Sequence, residues 1–169
     1  MIVFIRIDDR LIHGQVVEGW VNFLKATCLL VADDAVASST LQRDIMELSV
    51  PQGLKVFIGK VEEICGRLRT ATLESERAIL LFSNPADVLR ALGAGMDCAA
   101  LNIGGMHYVP GKRKLMDVLA VNDSDLEALR AIAGRGVPIN IQTVPTQRPI
   151  PLEKILSACA LVKSDKSKE

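Results

Sequence analysis

The sequence predicts an α/β protein: an open, three-layer α/β/α fold around a mainly parallel sheet of about six or seven strands. Short apolar runs alternate with segments of helical periodicity along most of the 169 residues. A helix that connects two such strands makes them run parallel in one sheet. Because no internal repeat or linker interrupts this alternation, we expect one domain over residues 1–162. A charged tail, residues 163–169, should be disordered.

The predicted strands are apolar runs bounded by turn residues. They cover residues 2–7, 28–32, 54–58, 78–82, 99–103, 115–121 and 137–144. Pro51 to Gly53 make a turn before the third strand. Gly104 and Gly105 should end the fifth strand and open a flexible loop.

The predicted helices fill the segments between these strands and follow the last one. They cover residues 15–24, 39–48, 61–68, 85–92, 122–133 and 152–161. Ser38 or Ser39 should cap the second of them, and Asn122 or Asp123 the fifth. Ser83-Asn84-Pro85 has the form of a cap followed by proline at the first helical position.

Composition excludes several classes of protein. Twenty basic and twenty acidic residues give a net charge of zero, which argues against a general nucleic-acid-binding protein. The four cysteines form no CxxC pair, so we expect reduced thiols rather than a zinc or thiol-exchange site. The apolar start is too short for a signal peptide, and no run approaches the roughly 18 residues of a membrane span. We therefore expect a cytoplasmic protein.

The first loop contains the densest group of reactive side chains. In an open parallel sheet, ligands bind beyond the carboxyl ends of the strands, which directs attention to residues 8–14, 33–37, 83–85 and 104–111. The first of these lies within the sequence Arg6-Ile7-Asp8-Asp9-Arg10-Leu11-Ile12-His13-Gly14-Gln15. A purely structural loop rarely needs two arginines, two aspartates and a histidine in ten residues.

This loop suits phosphoryl transfer. A neutral imidazole is nucleophilic near neutral pH, so His13 can take up a phosphoryl group and release it. Arg10 offers a planar fork to phosphate oxygens, and Gly14 permits close approach of a ligand. Free N–H groups of the helix that starts near Gln15 would bind an anion. Asp8 or Asp9 would hold Arg10 or orient the imidazole. A histidine at a helix start among local ion pairs is the structural alternative.

Residues 6–15 resemble the active-site signature of the IIB components of the mannose/fructose/sorbose family of the bacterial phosphoenolpyruvate-dependent sugar phosphotransferase system. The resemblance extends to Leu80-Leu-Phe-Ser-Asn-Pro-Ala-Asp-Val88, to Leu101-Asn-Ile-Gly-Gly-Met106 and to residues 132–136. It therefore spans nearly the whole chain. The fold that it implies, an open and mostly parallel α/β sheet, agrees with the pattern of strands and helices.

The resemblance also implies a direction of transfer. A phosphorylated IIA component would donate to His13, at Nδ1, and a sugar bound in the IIC–IID membrane permease would receive the group. Arg10 would contact the phosphate. The resemblance implies neither a metal nor another cofactor in this component. It places the protein in the cytoplasm, peripheral at the inner face of the membrane when it meets the permease. We expect a monomer or a weak dimer.

Several other features have two interpretations. Ser83 is either a phosphate donor or part of a helix cap. Gly104 and Gly105 either direct backbone amides to the site or only make a turn. His107 is either a solvated loop histidine or a second phosphorylation site. The cluster Lys112-Arg113-Lys114 is either solvated or contacts an acidic partner surface or a sugar phosphate. Trp20 is either core or half exposed at a partner surface. Asp33-Asp34 could bind Mg²⁺, but no other acid–histidine cluster supports a metal site.

Two other functions compete with sugar uptake. The chain could be a regulatory phosphorylation relay, in which case its first loop would look the same; Glu18, just beyond that loop, could alter which partner docks. A small nucleotide- or phosphate-binding module is a weaker alternative, because no GxGxxG or Walker sequence follows the first strand. The sequence itself does not identify the sugar.

Overall fold

A central sheet organises the computed structural model, which describes residues 1–70, 73 and 75–165. The strands found in these residues are β1 (Ile2–Asp8), β2 (Cys28–Ala32), β3 (Lys55–Gly59), β4 (Ala78–Phe82), β5 (Leu101–Gly105), β6 (Arg113–Met116), β7 (Leu119–Val121), β8 (Ile139–Ile141) and β9 (Ile150–Pro151). Seven of them form one sheet in the order β3-β2-β4-β1-β5-β8-β9. Every pair in it is parallel except β8 with β9. The predicted α/β class is confirmed.

Helices connect the parallel strands. A π-helical segment, Gln15–Trp20, runs directly into α1 (Val21–Leu24). The others are α2 (Asp34–Ala37), α3 (Thr40–Leu48), α4 (Val61–Leu68), α5 (Pro85–Gly93), α6 (Asp123–Gly134) and α7 (Leu152–Asp165). Ser39, Asn84 and Asn122 accept the capping hydrogen bonds of α3, α5 and α6. This selects Ser39 and Asn122 from the two predicted pairs of caps and confirms the predicted cap before Pro85. None of the helices among the described residues has both the length and the apolar character needed to cross a membrane.

Two apolar clusters lie on opposite faces of the sheet. One joins alternate strand residues such as Ile7, Leu30 and Leu80 to α4, α5 and α6. The other joins the intervening residues, such as Val31 and Leu81, to the π-helical segment and α1. Successive side chains of a strand point to opposite faces, so unbroken apolar runs are what a sheet covered on both faces requires. The layers therefore follow α/β/α, as predicted.

The structure corrects four predicted boundaries. Gly104 and Gly105 belong to β5 rather than to a loop after it. The single strand predicted over residues 115–121 is the antiparallel hairpin β6–β7. The last predicted strand shortens to Ile139–Ile141, and Ile150–Pro151 adds an antiparallel edge. The last helix continues to Asp165, so the predicted tail is helical in its first three residues, and residues 166–169 lie outside the described part.

All four cysteines are unpaired, as predicted. Cys28 and Cys65 are buried, and Cys98 and Cys159 are half-buried. Burial raises the pKa of the Cys28 thiol to about 11, so this side chain stays protonated near neutral pH. It behaves as a small core residue rather than as a nucleophile.

Candidate functional site

The first loop leaves the sheet at the carboxyl end of β1. Two of its side chains, Leu11 and Ile12, are buried in the apolar cluster that also contains the π-helical segment. Leu11 has a φ of 52°, a left-handed conformation that is costly for a bulky residue. Its N–H donates to the carbonyl of Asp8 at 2.9 Å. Burial of the two side chains fixes this strained turn, and the turn fixes the direction of the His13 side chain.

A buried arginine lies beneath this loop. The side chains of Arg6 and Asp8 are both fully buried, and Nη2 of Arg6 lies 2.8 Å from Oδ2 of Asp8. Nη1 donates to Oδ1 of Asn102 at 2.6 Å and to the carbonyl of Gln142 at 2.9 Å, while Nη2 also donates to the carbonyl of Thr143 at 3.1 Å. The protein therefore supplies hydrogen-bond acceptors to both terminal nitrogens of the buried guanidinium, and these replace the contacts with water that it loses on burial.

The two glycines of β5 make room for this arrangement. A Cβ at Gly104 would lie 1.8 Å from Cζ of Arg6, and one at Gly105 would lie 2.8 Å from Cε1 of His107 and 3.4 Å from Oδ1 of Asp8. Any side chain at residue 104 would occupy the place of the guanidinium. The prediction of a flexible glycine loop is therefore wrong, and the glycines are needed for close packing.

Trp20 belongs to the core. It is buried, its ring stacks on Phe4 with the centroids 4.3 Å apart, and its Nε1 donates to the carbonyl of Thr143 at 2.9 Å. The Arg6 guanidinium lies 5.6 Å from the ring centroid, within the range of a cation–π interaction. Of the two predicted positions for Trp20, the structure selects the core.

The carboxylate of Asp8 is ionised near neutral pH. Burial by itself would raise the pKa of Asp8, but the hydrogen bond with His13, the charge of Arg6 and the N–H of Arg10 outweigh burial and lower it. The Arg10 N–H donates to Oδ1 at 3.2 Å. An ionised carboxylate accepts hydrogen bonds and donates none, so each polar neighbour of Asp8 must present a proton to it.

This requirement fixes the tautomer of His13. Its Nε2 lies 3.0 Å from Oδ2 of Asp8 and so carries the ring proton. The backbone N–H of Gln15 points to Nδ1 at 3.3 Å, and only a nitrogen with a lone pair can accept that bond. Both contacts require the same tautomer. The lone pair of the His13 ring is therefore on Nδ1, in a side chain that is 16% exposed.

Arg10 is the exposed cation of the site. Its Nε lies 3.5 Å from Oδ1 of Asp8, and Nη2 donates to Oε1 of Gln15 at 3.1 Å. Gly14, between His13 and Gln15, has an ordinary helical φ of −51°, and a Cβ there would meet nothing within 4 Å. The fold itself therefore does not require glycine at residue 14. The open space faces outward, where a ligand would arrive.

The helix that follows begins irregularly. The N–H groups of Val16 and Val17 both donate to the carbonyl of His13, at 2.9 and 3.0 Å, and the segment continues as a π-helix. Such segments are rare and are often found at functional sites. Here the irregular start directs the N–H of Gln15 to the His13 ring.

Comparison with known proteins identifies the family. Residues 2–167 match the family described as the PTS system sorbose subfamily IIB component. The chain belongs to this family. It is 34% identical over 155 residues to the N-acetylgalactosamine-specific phosphotransferase enzyme IIB component 2 of Escherichia coli (strain K12), covering 92% of this chain and 98% of that protein. The resemblance found in the first loop is confirmed.

Two further relatives extend this result. The mannose-specific EIIAB component of Escherichia coli (strain K12) is 30% identical over 152 residues, covering 90% of this chain and 47% of the relative, so this IIB chain spans about half of that protein. The crystal structure of the IIB domain of the sorbose permease from Klebsiella pneumoniae superposes with a TM-score of 0.89 at 30% identity. That match covers 94% of this chain and 97% of the other.

Asp9 of this IIB component is turned away from His13. Its carboxylate accepts hydrogen bonds from the backbone N–H and from Nδ1 of His107, each at 2.6 Å. Of the two aspartates that the sequence left open, Asp8 is therefore the one that orients the imidazole and holds Arg10. The predicted solvated position of His107 is confirmed, because its side chain is 42% exposed, and its ring also has a carboxylate partner.

Ser83 is engaged elsewhere. Its hydroxyl donates to Oδ2 of Asp33, while Oδ1 of Asn84 accepts from the N–H of Asp87 at 2.9 Å and caps α5. The other carboxylate oxygen of Asp33 accepts from the N–H of Val36 at 2.8 Å. These bonds favour the capping interpretation of residues 83–85. In the described part of the chain, no group of three or more His, Cys, Asp or Glu side chains is arranged to hold a metal ion.

The predicted basic cluster is paired with acids. Lys112 lies 3.0 Å from Asp125, Arg113 2.8 Å from Asp123 and Lys114 2.8 Å from Asp117. The three side chains are thus ion-paired, and two of them are also solvated as predicted, since Arg113 is 49% and Lys114 57% exposed. The contacts of Lys112 and Arg113 attach the segment after β5 to the start of α6, whereas Lys114 pairs within the β6–β7 hairpin.

The sequence alone did not identify Arg6 as the buried partner of Asp8. Arg6 stands between two apolar residues in a strand that is buried on both faces. A charged residue in such a run needs a partner, because an unpaired buried charge is costly. That signal pointed to a buried ion pair, but only the structure identifies Asp8, Asn102 and two carbonyl groups as what Arg6 contacts.

Proposed function

We propose that His13 is a transient phosphoryl carrier of a sugar phosphotransferase system. Its Nδ1 accepts the group from a phosphorylated IIA partner and passes it to a sugar held by the IIC–IID permease. One observation supports this most strongly: the contact between Asp8 and Nε2 leaves the lone pair of His13 on Nδ1. That nitrogen lies at a helix start, where an anion is favoured, and in the same loop as the exposed Arg10.

Transfer of the phosphoryl group from IIA to His13 needs no further reactant. The Nδ1 lone pair forms a bond to phosphorus as the P–N bond of the donor phosphohistidine breaks, and that electron pair returns to the donor imidazole. His13 becomes a phosphoimidazolium whose Nε2–H faces the carboxylate of Asp8. Asp8 thus stabilises the positive ring, as a carboxylate stabilises imidazolium in other enzymes. Arg10 leaves Gln15 for the phosphoryl oxygens, to which the Gln15 N–H also donates.

Release follows the same geometry in reverse. A sugar hydroxyl attacks phosphorus, the bond to Nδ1 breaks and its electron pair returns to the ring. The hydroxyl proton goes to a base outside this chain, and His13 ends neutral with its proton on Nε2. The residues present supply positive charge and hydrogen-bond donors, so we propose that no metal or other cofactor takes part in this component.

The sugar belongs to the mannose, fructose and sorbose class in this proposal. Relatives of the same fold are named for N-acetylgalactosamine, mannose and sorbose, so the IIB fold alone does not select among sugars. We assign that selection to the permease. The protein would act in the cytoplasm and at the inner face of the membrane.

Labelled phosphoryl transfer tests the proposal. IIA carrying a labelled phosphoryl group is mixed with the chain, and the label is mapped to a residue and, by NMR, to a ring nitrogen. We expect one label per chain, on Nδ1 of His13, and none on the His13→Ala variant. The His107→Ala variant, which lacks only the other histidine, should still reach one label per chain at saturation. Equal labelling of His13→Ala would contradict the proposal.

The second half of the cycle needs membranes that contain IIC and IID. Label that passes from His13 to a sugar supports uptake. Label that leaves His13 only when another protein is added, and never enters a sugar, would favour a regulatory relay instead.

A further inference from the structure

An exposed loop follows β5 beside the first loop, and we call it the tip loop, residues 107–112. It presents two neighbouring apolar side chains to solvent: Tyr108 is 61% and Val109 49% exposed. Large apolar side chains that stay exposed side by side often mark a binding surface. Tyrosine in particular is common among the residues that dominate the energy of protein interfaces.

The tip loop is fixed at both ends. At its start, His107 donates its backbone N–H and its Nδ1–H to the carboxylate of Asp9. At its end, Lys112 pairs with Asp125 at 3.0 Å. Between them, the N–H of Lys112 donates to the carbonyl of Val109 at 3.0 Å, and Gly111 has a φ of 92°, which with proline at residue 110 makes a type II turn. The backbone that carries the exposed pair is therefore held at both ends.

The tip loop adjoins the His13 site. A Cβ at Gly105 would touch both the His107 ring and Oδ1 of Asp8, so only a glycine separates the two. Asp9 is the link, since its N–H donates to the carbonyl of Gly105 at 3.0 Å and its neighbours in sequence are Asp8 and Arg10. His107, the first residue of the tip loop, therefore lies close to the carboxylate that holds His13.

We propose that the tip loop is the docking surface for the phosphorylated IIA partner, and that His107 is the residue that positions it. This inference rests on the proposed function. Charge selects the occupant: the IIA partner arrives with a dianionic phosphoryl group, and the cation exposed nearest to His13 is Arg10. The nearby carboxylate of Asp9 is turned to His107, which reduces repulsion of that group. The partner should offer an apolar patch beside its phosphohistidine.

A second exposed apolar stripe serves as the comparison. Leu41, Ile45 and Leu48 lie along α3, and Leu48 is 86% exposed. No hydrogen bond or ion pair among the described residues joins α3 to the first loop or to the tip loop. Loss of an apolar side chain from this stripe therefore controls for a general effect of surface composition.

The test measures the rate of His13 phosphorylation against the concentration of phosphorylated IIA. We expect Tyr108→Ala to raise the half-saturating concentration about tenfold, the size of a typical interface hot spot, with less than a twofold change in the limiting rate. Leu48→Ala should leave both quantities within twofold of the original. His107→Ala should act like Tyr108→Ala. His107→Asn, whose side-chain amide can still donate to Asp9, should recover most of the loss.

A small donor separates docking from chemistry. Phosphoramidate carries a phosphoryl group on nitrogen and has no protein surface to dock. For Tyr108→Ala, the change with phosphorylated IIA should be at least five times larger than the change with phosphoramidate. Equal changes with both donors would overturn the inference, because the tip loop would then act on His13 itself.

Two other results would also overturn it. If the IIA titration of Tyr108→Ala matches the original while transfer to permease membranes slows, the loop belongs to the permease contact. If Tyr108→Ala and Leu48→Ala weaken the IIA titration equally, the effect is one of surface composition. Failure of the proposed function has a different signature: neither donor would then label His13 in the original protein.

Discussion

Two aspartate–histidine pairs lie side by side at the end of β1, and they differ in burial. The Asp8 carboxylate is fully buried with Arg6 and holds a His13 ring that is 16% exposed. The Asp9 carboxylate is 33% exposed and holds a His107 ring that is 42% exposed. The two carboxylates are neighbours in sequence, but Asp8 is the last residue of β1 and Asp9 begins the turn that follows. One position along the chain therefore separates a buried pair from a solvated one.

The two carboxylates also contact different ring nitrogens of their histidines. Asp8 faces Nε2 of His13, whereas Asp9 faces Nδ1 of His107. In His13 the second nitrogen, Nδ1, accepts from the N–H of Gln15 and so keeps its lone pair. In the buried pair this arrangement is reinforced by a low-dielectric environment, in which charge–dipole interactions are stronger than in water. In the exposed pair water competes for both partners, so that pair is suited to holding a loop rather than to tuning a nucleophile.

The largest expected effect comes from Asp8→Asn. Oδ2 of Asp8 serves both Arg6 and His13, while Oδ1 serves Arg10. An amide can accept at only one of these two positions, so some partner loses its acceptor in either orientation. We expect phosphorylation of His13 by phosphoramidate to slow by about 10² to 10⁴-fold, as when a histidine is held in the wrong tautomer.

We also expect Asp8→Asn to lower the free energy of unfolding, and by more than loss of the exposed Asp9–His107 pair does. Removal of one partner of a buried ion pair costs about 3–5 kcal/mol, which urea denaturation would detect. A variant that unfolds at the same urea concentration as the original, with an unchanged rate, would remove the distinction drawn between the two pairs.

The next largest effect comes from a steric change at Gly104, beside the Arg6 guanidinium. In Gly104→Ala the new methyl group would collide with the guanidinium, so Arg6 must move and lose contacts. We expect a loss of about 3 kcal/mol in the free energy of unfolding, measured by urea denaturation. The matched control is Gly66→Ala in α4, where a Cβ meets nothing within 4 Å. There, alanine should stabilise the helix by up to about 1 kcal/mol.

The pH dependence of stability sharpens the comparison further. The folded-state pKa of Asp8 lies below its ordinary value, so the unfolded chain binds this proton more readily than the folded protein does. The contribution of Asp8 is therefore fully present above the unfolded pKa of about 3.9 and is lost as the pH falls through the folded pKa. Urea midpoints measured from pH 6 to pH 2 should fall more steeply below about pH 4 in the original than in Asp8→Asn. Parallel curves would show that Asp8 does not carry this dependence.

The smallest effect belongs to Asp9→Asn. Because the Asp9–His107 pair is partly exposed, we expect its loss to change the free energy of unfolding by less than about 1 kcal/mol. Phosphorylation by phosphoramidate should change less than threefold. The half-saturating concentration of phosphorylated IIA should rise more than that if the tip loop docks the partner. A rate loss as large as that of Asp8→Asn would show that both carboxylates act on the His13 site.

Local pattern was enough for most of the fold. The five apolar residues of β4 and the Asn84-Pro85 start of α5 were predicted at the places where the structure has them. Gly104-Gly105 was misplaced, because paired glycines are common in turns and nothing nearby in sequence reveals the guanidinium that fills their space. The sequence predicts one strand in place of the hairpin β6–β7, because the bend of the hairpin at residues 117–118 carries no glycine or proline.

The candidate site divides in the same way. The sequence alone placed His13, Arg10, Gly14 and Gln15 in one loop at a strand end, because residues close in the chain stay close in the fold. It also carried enough of the family pattern to indicate the chemistry. Tertiary structure decided which aspartate faces which histidine, since Asp9 and His107 are 98 positions apart. It also decided that Gly104 accommodates Arg6. Those relations depend on how β1 pairs with β5, and strand pairing is a property of the packed sheet rather than of any segment within it.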